Sequence, residues 1–366
     1  MPLLLIYTDY TSENLKSSKK RNFCDYLWFK QETIIAHIYN EREMKMSVKR
    51  VLSCDSGGIK GVLSLCFLEH FEKETGKTCH ELFDLFAGTS TGAIIAGSLA
   101  YGLSATEVLE MYEEMSRHIF SEKLQKWWKP WTYITDAKYS YLPMETTLKS
   151  YFGDANIFDP AFPKKVLMFA KDLTTSENVF FNNNDIYKPQ TYGDHIKKRY
   201  DSHGTLYKII TASAVAPTFF PPYGSFIDGG VGVYGNPVYQ AALEAVYYYN
   251  WKKVEVYSIG TGIFNNSICK NRILKMNIFD WVRYIIGEAL QDANEQQIAI
   301  VSSMSDVKLR RYNIDFPKLF EIGKIESNIK ISMDASDKIS YLIELGREIV
   351  KDSTFYSNTI KNRFPK

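Results

Sequence analysis

The ten residues from Phe83 to Gly92, Phe-Asp-Leu-Phe-Ala-Gly-Thr-Ser-Thr-Gly, constrain this chain more than any other stretch. An apolar run stops at Gly88-Thr89-Ser90-Thr91-Gly92, and a second apolar segment, Ala93 to Leu99, follows at once with helical character. Strand, sharp turn and helix in so few residues crowd two backbones together, and glycines at 88 and 92 remove the side chains that would collide. The apex of such a turn lifts the Ser90 hydroxyl into the open beside a helix N-terminus, which favours developing negative charge. The spacing is Gly-x-Ser-x-Gly, the pattern of a nucleophile elbow. An ordinary strand-to-helix turn packed with small residues would share the composition; the apolar strand before it and the helix after it favour the nucleophile.

A turn of this kind needs a sheet around it, and the chain has the length for one. With 366 residues and 45% hydrophobic content it can bury one large core or a core with an appendage. The net charge of +2 argues against a global field for nucleic acid, so no nucleic-acid partner is expected. The abundance of Tyr and Phe sits beside much Lys, Asn and Ile, a bias that an A/T-rich genome also produces. Cys24, Cys54, Cys66, Cys79 and Cys269 are odd in number and scattered, with neither zinc spacing nor a disulfide framework, so a reducing compartment is the expectation. Leu3 to Tyr7 is too short for a signal core and lacks a basic flank, and no run approaches the roughly 18 apolar residues of a membrane span. A protein that is cytoplasmic or peripheral to a membrane is expected, with export by a route that reads no standard signal left open.

Residues 1–46 carry no catalytic spacing and read as an N-terminal extension; Met44 and Met46 leave an internal start open. Val48 to Cys54 reads as a strand, and Val62 to Glu74 as a helix ended by Gly76. Between them lies Asp55-Ser56-Gly57-Gly58-Ile59-Lys60-Gly61, a glycine-rich turn whose N–H groups suit an anion, either a phosphate or a tetrahedral oxyanion. A dinucleotide fingerprint would need glycine at 56 and an acidic strand end about 20 residues on, whereas Glu69, Glu72 and Glu74 fall inside the helix. Ser104 and Glu107 form a capping box that opens a helix to about Arg117. Trp127, Trp128 and Trp131 among lysines suit a membrane interface, but no amphipathic period accompanies them, and a loop packed on the core is the favoured reading. Further strands are expected at Val166–Ala170, Val179–Phe181, Phe226–Ile227 and Val254–Ile259. Helices are expected at Leu206–Ala216, Val238–Tyr248, Phe279–Met304 and Ala335–Lys351. Strands alternating with helices imply an α/β sandwich with a mostly parallel sheet: a core over 47–262, with 263–366 as a helical portion packed on it.

A serine hydroxyl needs a base. The histidines lie at 37, 70, 80, 118, 195 and 203, so the late histidine of an α/β-hydrolase triad is missing. Asp228 serves better: it ends a short apolar strand and precedes Gly229 and Gly230. Burial beside an apolar pocket would raise its pKa from an ordinary value near 3.9 toward one useful at neutral pH. An Asp-Gly turn with no chemistry is the competing reading.

Four segments occur in order: Asp55 to Gly61, Gly88 to Gly92, Ala212 to Pro222 and Asp228 to Gly230. Together, over residues 48 to 262, they resemble the patatin-like phospholipase family. The resemblance implies a three-layer α/β/α sandwich and a lipid acyl hydrolase. It makes Ser90 the nucleophile, Asp228 its dyad partner, and Ser56, Gly57, Gly58, Ile59, Lys60 and Gly61 the oxyanion loop. It implies a phospholipid or other lipid ester as substrate and no metal or cofactor for the chemical step; peripheral contact with a membrane is compatible with such a substrate. The family loop begins Asp-Gly-Gly-Gly. Serine at 56 adds strain if that position takes positive φ, and is harmless if only the Gly57 and Gly58 N–H groups face the oxyanion. Lys60 either attracts an anionic headgroup or anchors the loop to a carboxylate. A catalytically weak lipid- or partner-binding module and an acyltransferase stand as alternatives. The sequence does not specify oligomeric state.

Overall fold

A computed structural model describes residues 47–121, 123–124, 137–184, 204–264, 270–276, 291, 293–323, 325, 331–351 and 356–358. The expected extension over 1–46, the tryptophan-rich loop and His195 and His203 lie outside the described residues. The sheet and its covering helices belong to the unit Val48–Lys366.

Among the described residues eight strands form one sheet: β1 Lys49–Cys54, β2 Leu85–Gly88, β3 Lys165–Asp172, β4 Glu177–Asn182, β5 Phe226–Asp228, β6 Val254–Ile259, β7 Val307–Ile314 and β8 Tyr356–Asn358. Their order is β4-β3-β2-β1-β6-β7-β8, with β5 pairing to β3 off this path. The five inner strands run parallel, and β4, β5 and β8 are antiparallel to their neighbours. Parallel strands covered on both faces read as continuous apolar runs, as β2 does. Alternate residues feed two cores. Leu52, Phe86, Met168 and Tyr257 point into one, and Val51, Leu85, Leu167 and Val256 into the other. Helices cover both faces, so the fold is a mixed α/β sandwich with a mostly parallel central sheet.

The larger core lies beneath α1 (Gly61–Thr75), α2 (Thr91–Tyr101), α3 (Ala105–Ser121), α4 (Leu142–Phe152), α5 (Leu206–Ala214) and a late helix at Ile339–Ile349. Sequence signals account for several of their ends. Gly76 caps α1 in the left-handed conformation (φ 66°), its N–H donating to the Glu72 carbonyl. At the start of α3, Ser104 Oγ accepts the Glu107 N–H while the Glu107 carboxylate accepts the Ser104 N–H. The expected helix Val238–Tyr248 is α-helical only to Leu243 and widens to a π-turn over Glu244–Tyr248. No helix among the described residues is long and apolar enough to cross a membrane.

The segment after residue 262 is not the wholly helical portion expected. It supplies β7 and β8 to the same sheet. Arg310 and Arg311 hide β7 in the sequence, because a strand reading rejects charge. Both are buried, and each has a carboxylate partner: Glu255 on β6 for Arg310 and Asp55 beyond β1 for Arg311.

The three central strands end level with one another, Cys54 lying beside Gly88 and Ile259, while β3 and β7 run on beyond them. The chain moves outward from β1 in both directions, so the crevice beyond these carboxyl ends is the topological switch point where α/β folds bind ligands. A Cβ on Gly92 would run into the main-chain carbonyl of Cys54, and one on Gly88 into that of Gly92. Backbone does not give way as a side-chain tip does. Gly92→Ala is therefore expected to lower stability by about 3 kcal/mol or more, measured as a fall in unfolding free energy in urea.

Candidate active site

Ser90 stands between β2 and α2 with φ 56° and ψ −124°, a strained backbone for a non-glycine residue. Neighbouring groups hold it there. Its N–H donates to Ser213 Oγ at 3.1 Å. On one side Thr89 Oγ1 donates to the Tyr234 carbonyl at 2.6 Å. On the other, Thr91 Oγ1 donates to the Gly58 carbonyl at 2.8 Å. Ser90 is 4% exposed, so the apex opens into a cleft rather than onto the surface.

Sheet register brings Asp228 to it. β2 stops at Gly88, opposite Met168, while β3 continues to Asp172. The edge vacated by β2 is taken by β5, with Asp228 opposite Ala170. Asp228 therefore lies two residues past Gly88 along the same edge, roughly 7 Å at strand rise. The Asp228 N–H donates to the Val215 carbonyl at 3.1 Å, so the end of α5 touches both residues, through Ser213 and through Val215. This is the structural part played by the Ala212–Pro217 segment.

Asp228 is 5% exposed. Its carboxylate accepts a hydrogen bond from the Gly230 N–H at 2.7 Å. Burial pushes its pKa up to about 6, while the nearby Ser90 hydroxyl and the Gly230 N–H oppose the shift. Gly229 is required because its Cβ would strike the Phe169 main chain on β3. No described histidine lines the cleft.

The glycine-rich loop lies beside Ser90, its peptides pinned one by one. The Ser56 N–H donates to the Gly235 carbonyl at 2.8 Å, and the Ile59 N–H to the Met333 carbonyl at 2.9 Å, which leaves neither free for a substrate. The Ser56 carbonyl accepts from Thr261 Oγ1 at 2.9 Å. In a trans peptide the next N–H, that of Gly57, points the opposite way. The Gly58 carbonyl accepts from Thr91 Oγ1 and from the Tyr112 hydroxyl, at 2.8 and 2.7 Å. Among the described residues the Gly57 and Gly58 N–H groups have no acceptor. Gly58 takes φ +59°, whereas Ser56 is not among the residues with positive φ, so serine at that position introduces no strain. Asp55, which begins the loop, is buried and held by Arg311 through two hydrogen bonds of 2.9 and 2.6 Å.

Lys60 has no carboxylate partner among the described residues. Its ammonium lies 4.6 Å from the centroid of the Phe264 ring, and burial lowers its pKa to about 8. From Ser90 an apolar cleft runs between α3, α4 and the residues after α5, lined by Ile94, Met115, Ile119, Met144, Phe219 and Phe220. Tyr112, Ser213, Thr261 and Arg311 shape the site without having been singled out in the sequence. Of these only Ser213 lay in a recognised segment; the others act across 54 to 256 positions.

Residues 52–242, just over half of the chain, match the family model described as patatin-like phospholipase. The chain belongs to the patatin-like phospholipase family. It is 30% identical over 241 residues to the 85/88 kDa calcium-independent phospholipase A2 of Rattus norvegicus, covering 60% of this chain and 28% of that protein. It is 28% identical over 206 residues to the cGAMP-activated phospholipase of Vibrio cholerae, covering 51% and 55% respectively. With patatin group D-2 of Solanum tuberosum it shares 23% over 277 residues, covering 64% and 67%. This chain thus spans between about a quarter and two thirds of these relatives. Among solved structures, VipD from Legionella pneumophila aligns with 85% of this chain and 68% of its own, at 10% identity and a TM-score of 0.37.

The raised pKa of Asp228 has a consequence for stability. Its folded value near 6 exceeds the ordinary 3.8, so the folded state binds the proton more tightly and stability falls as pH rises from about 4 through 6. Asp228→Asn carries no charge and keeps an oxygen for the Gly230 N–H. It is expected to raise the unfolding free energy at pH 7 by roughly 2–3 kcal/mol, with little gain at pH 4, in urea titrations at the two pH values.

Proposed function

We propose that this protein is a serine lipid acyl hydrolase that cleaves fatty-acyl esters of phospholipids through a Ser90–Asp228 dyad and an acyl-enzyme. The observation that carries the reading is the buried Asp228 carboxylate, set by the β3 edge two residues past Gly88 and beside the Ser90 hydroxyl, with a pKa raised to about 6. A carboxylate so poised is deprotonated at neutral pH yet basic enough to take a proton from a hydroxyl attacking an ester carbonyl. Charge would then build on the carbonyl oxygen, and the Gly57 and Gly58 N–H groups are the donors left unengaged for it. The Asp228 proton would pass to the departing alcohol, and a water activated by the same carboxylate would release the fatty acid. Membership of a phospholipase family and the apolar cleft beside Ser90 both favour an acyl chain as the group held.

The lack of positive φ at Ser56 removes the strain that would have favoured a catalytically weak binding module. Transfer of the acyl group to an alcohol uses the same acyl-enzyme, and product analysis with an added alcohol separates it from hydrolysis.

Two measurements test the reading. Ser90→Ala is expected to abolish release of fatty acid from phosphatidylcholine vesicles and to abolish labelling by a fluorophosphonate; intact hydrolysis in this variant would falsify the assignment. Because the base must be deprotonated, kcat/KM should rise with pH through an apparent pKa of about 6 and then level off. A profile flat between about pH 5 and about pH 8 would remove Asp228 from the role.

A further inference from the structure

The Ile59 N–H is held by a carbonyl from the far end of the chain, that of Met333. Met333 also packs so closely on Gly58 that a Cβ there would run into its main chain, and its side chain lines the cleft beside Ser90. Nothing in a glycine-rich turn would by itself keep residue 333 in this place. The next residue does. The Asp334 carboxylate, 8% exposed as a side chain, accepts hydrogen bonds from Lys138 Nζ, from the Tyr139 hydroxyl at 2.8 Å, and from Ser332 Oγ. Lys138 and Tyr139 are themselves fixed to the cleft wall, their N–H groups donating to the Thr218 and Phe219 carbonyls at 3.0 and 2.7 Å.

A buried carboxylate with three donors, one of them an ammonium, is a strong local fastening. Here it joins segments separated by 195 and 196 positions. We propose that Asp334 is a positioning residue for the oxyanion loop: it seats the Met333 carbonyl on the Ile59 N–H and so holds Gly57 and Gly58 in the orientation the reaction uses. The proposal rests on the hydrolase reading above, and it adds a part for the chain beyond residue 242, where the family match ends. Asp334 touches no substrate; it works through the loop.

The test uses the full chain and a water-soluble short ester, p-nitrophenyl butyrate, which does not depend on a lipid surface. Asp334→Asn keeps the shape and removes the charge. It is expected to lower kcat about tenfold with KM within about twofold of wild type, since the loss concerns the transition state rather than ground-state binding. In the same variant, hydrogen exchange of the Ile59 amide should become about tenfold faster. Ser332→Ala removes one donor only and should move both readouts in the same direction by about two- to threefold; it carries the test if Asp334→Asn does not fold. Unchanged kcat overturns the proposal, as does a fall in kcat with Ile59 exchange unaltered, because the effect would then bypass the loop. If the wild-type chain hydrolyses no ester, the hydrolase reading has failed, and Ile59 exchange alone judges whether Asp334 seats the loop.

Discussion

The end of β1 and the first turn of α2 touch backbone to backbone, with Gly92 against the Cys54 carbonyl. Much of the site depends on that contact. It leaves only Thr89 and Ser90 between strand and helix, and Ser90 makes the reversal at φ 56°. Such a conformation carries on the order of 1–3 kcal/mol of strain and persists only where the surroundings over-determine it. Here the residue on each side is tied by its hydroxyl, Thr89 to Tyr234 and Thr91 to Gly58, and Ser90 itself is tied by its N–H to Ser213. The same contact sets the glycine-rich loop beside the serine, since that loop begins where β1 ends.

Two aspartates lie at the end of this sheet, both buried, and their surroundings give them different parts. Asp55 is met by the Arg311 guanidinium, which also takes Ser258 Oγ as a partner at 2.8 Å. A pair with that geometry anchors the start of the loop and leaves the carboxylate no freedom to accept a further proton donor. Asp228 meets a hydroxyl and one backbone N–H instead of a cation. Burial raises the pKa of both carboxylates; the Arg311 charge opposes the rise at Asp55, whereas no cation opposes it at Asp228, where the value reaches about 6. A fully paired Asp228 would be more stable and a poorer base, an opposition between stability and activity that recurs at catalytic sites.

Features encoded by short-range chemistry were legible in the sequence. The strand–turn–helix at 83–99, the capping box at Ser104 and Glu107, the Gly76 cap and the strand at Val254–Ile259 all appear close to their expected places. What local pattern hid was anything whose partner lies far along the chain. β7 carries two arginines that look like surface residues until Glu255 and Asp55 are seen beside them. The π-turn at Glu244–Tyr248 interrupts a helix whose residues read as regular.

Local sequence dictates the geometry of three pieces: a serine on a crowded turn, an aspartate at a strand end, and a glycine-rich loop. Glycine placement and apolar runs shape these through sterics that act within a few residues. Their union into one site is a tertiary outcome, reached through a register: β2 ends early, β5 occupies the edge it vacates on β3, and Asp228 lands two residues beyond Gly88. Tertiary contacts also select which loop N–H groups remain unengaged, because the acceptors that consume those of Ser56 and Ile59 are Gly235 and Met333. The physical reason is that strand pairing and hydrogen-bond satisfaction are settled between segments tens to hundreds of residues apart, by contacts that exist only once the sheet has assembled.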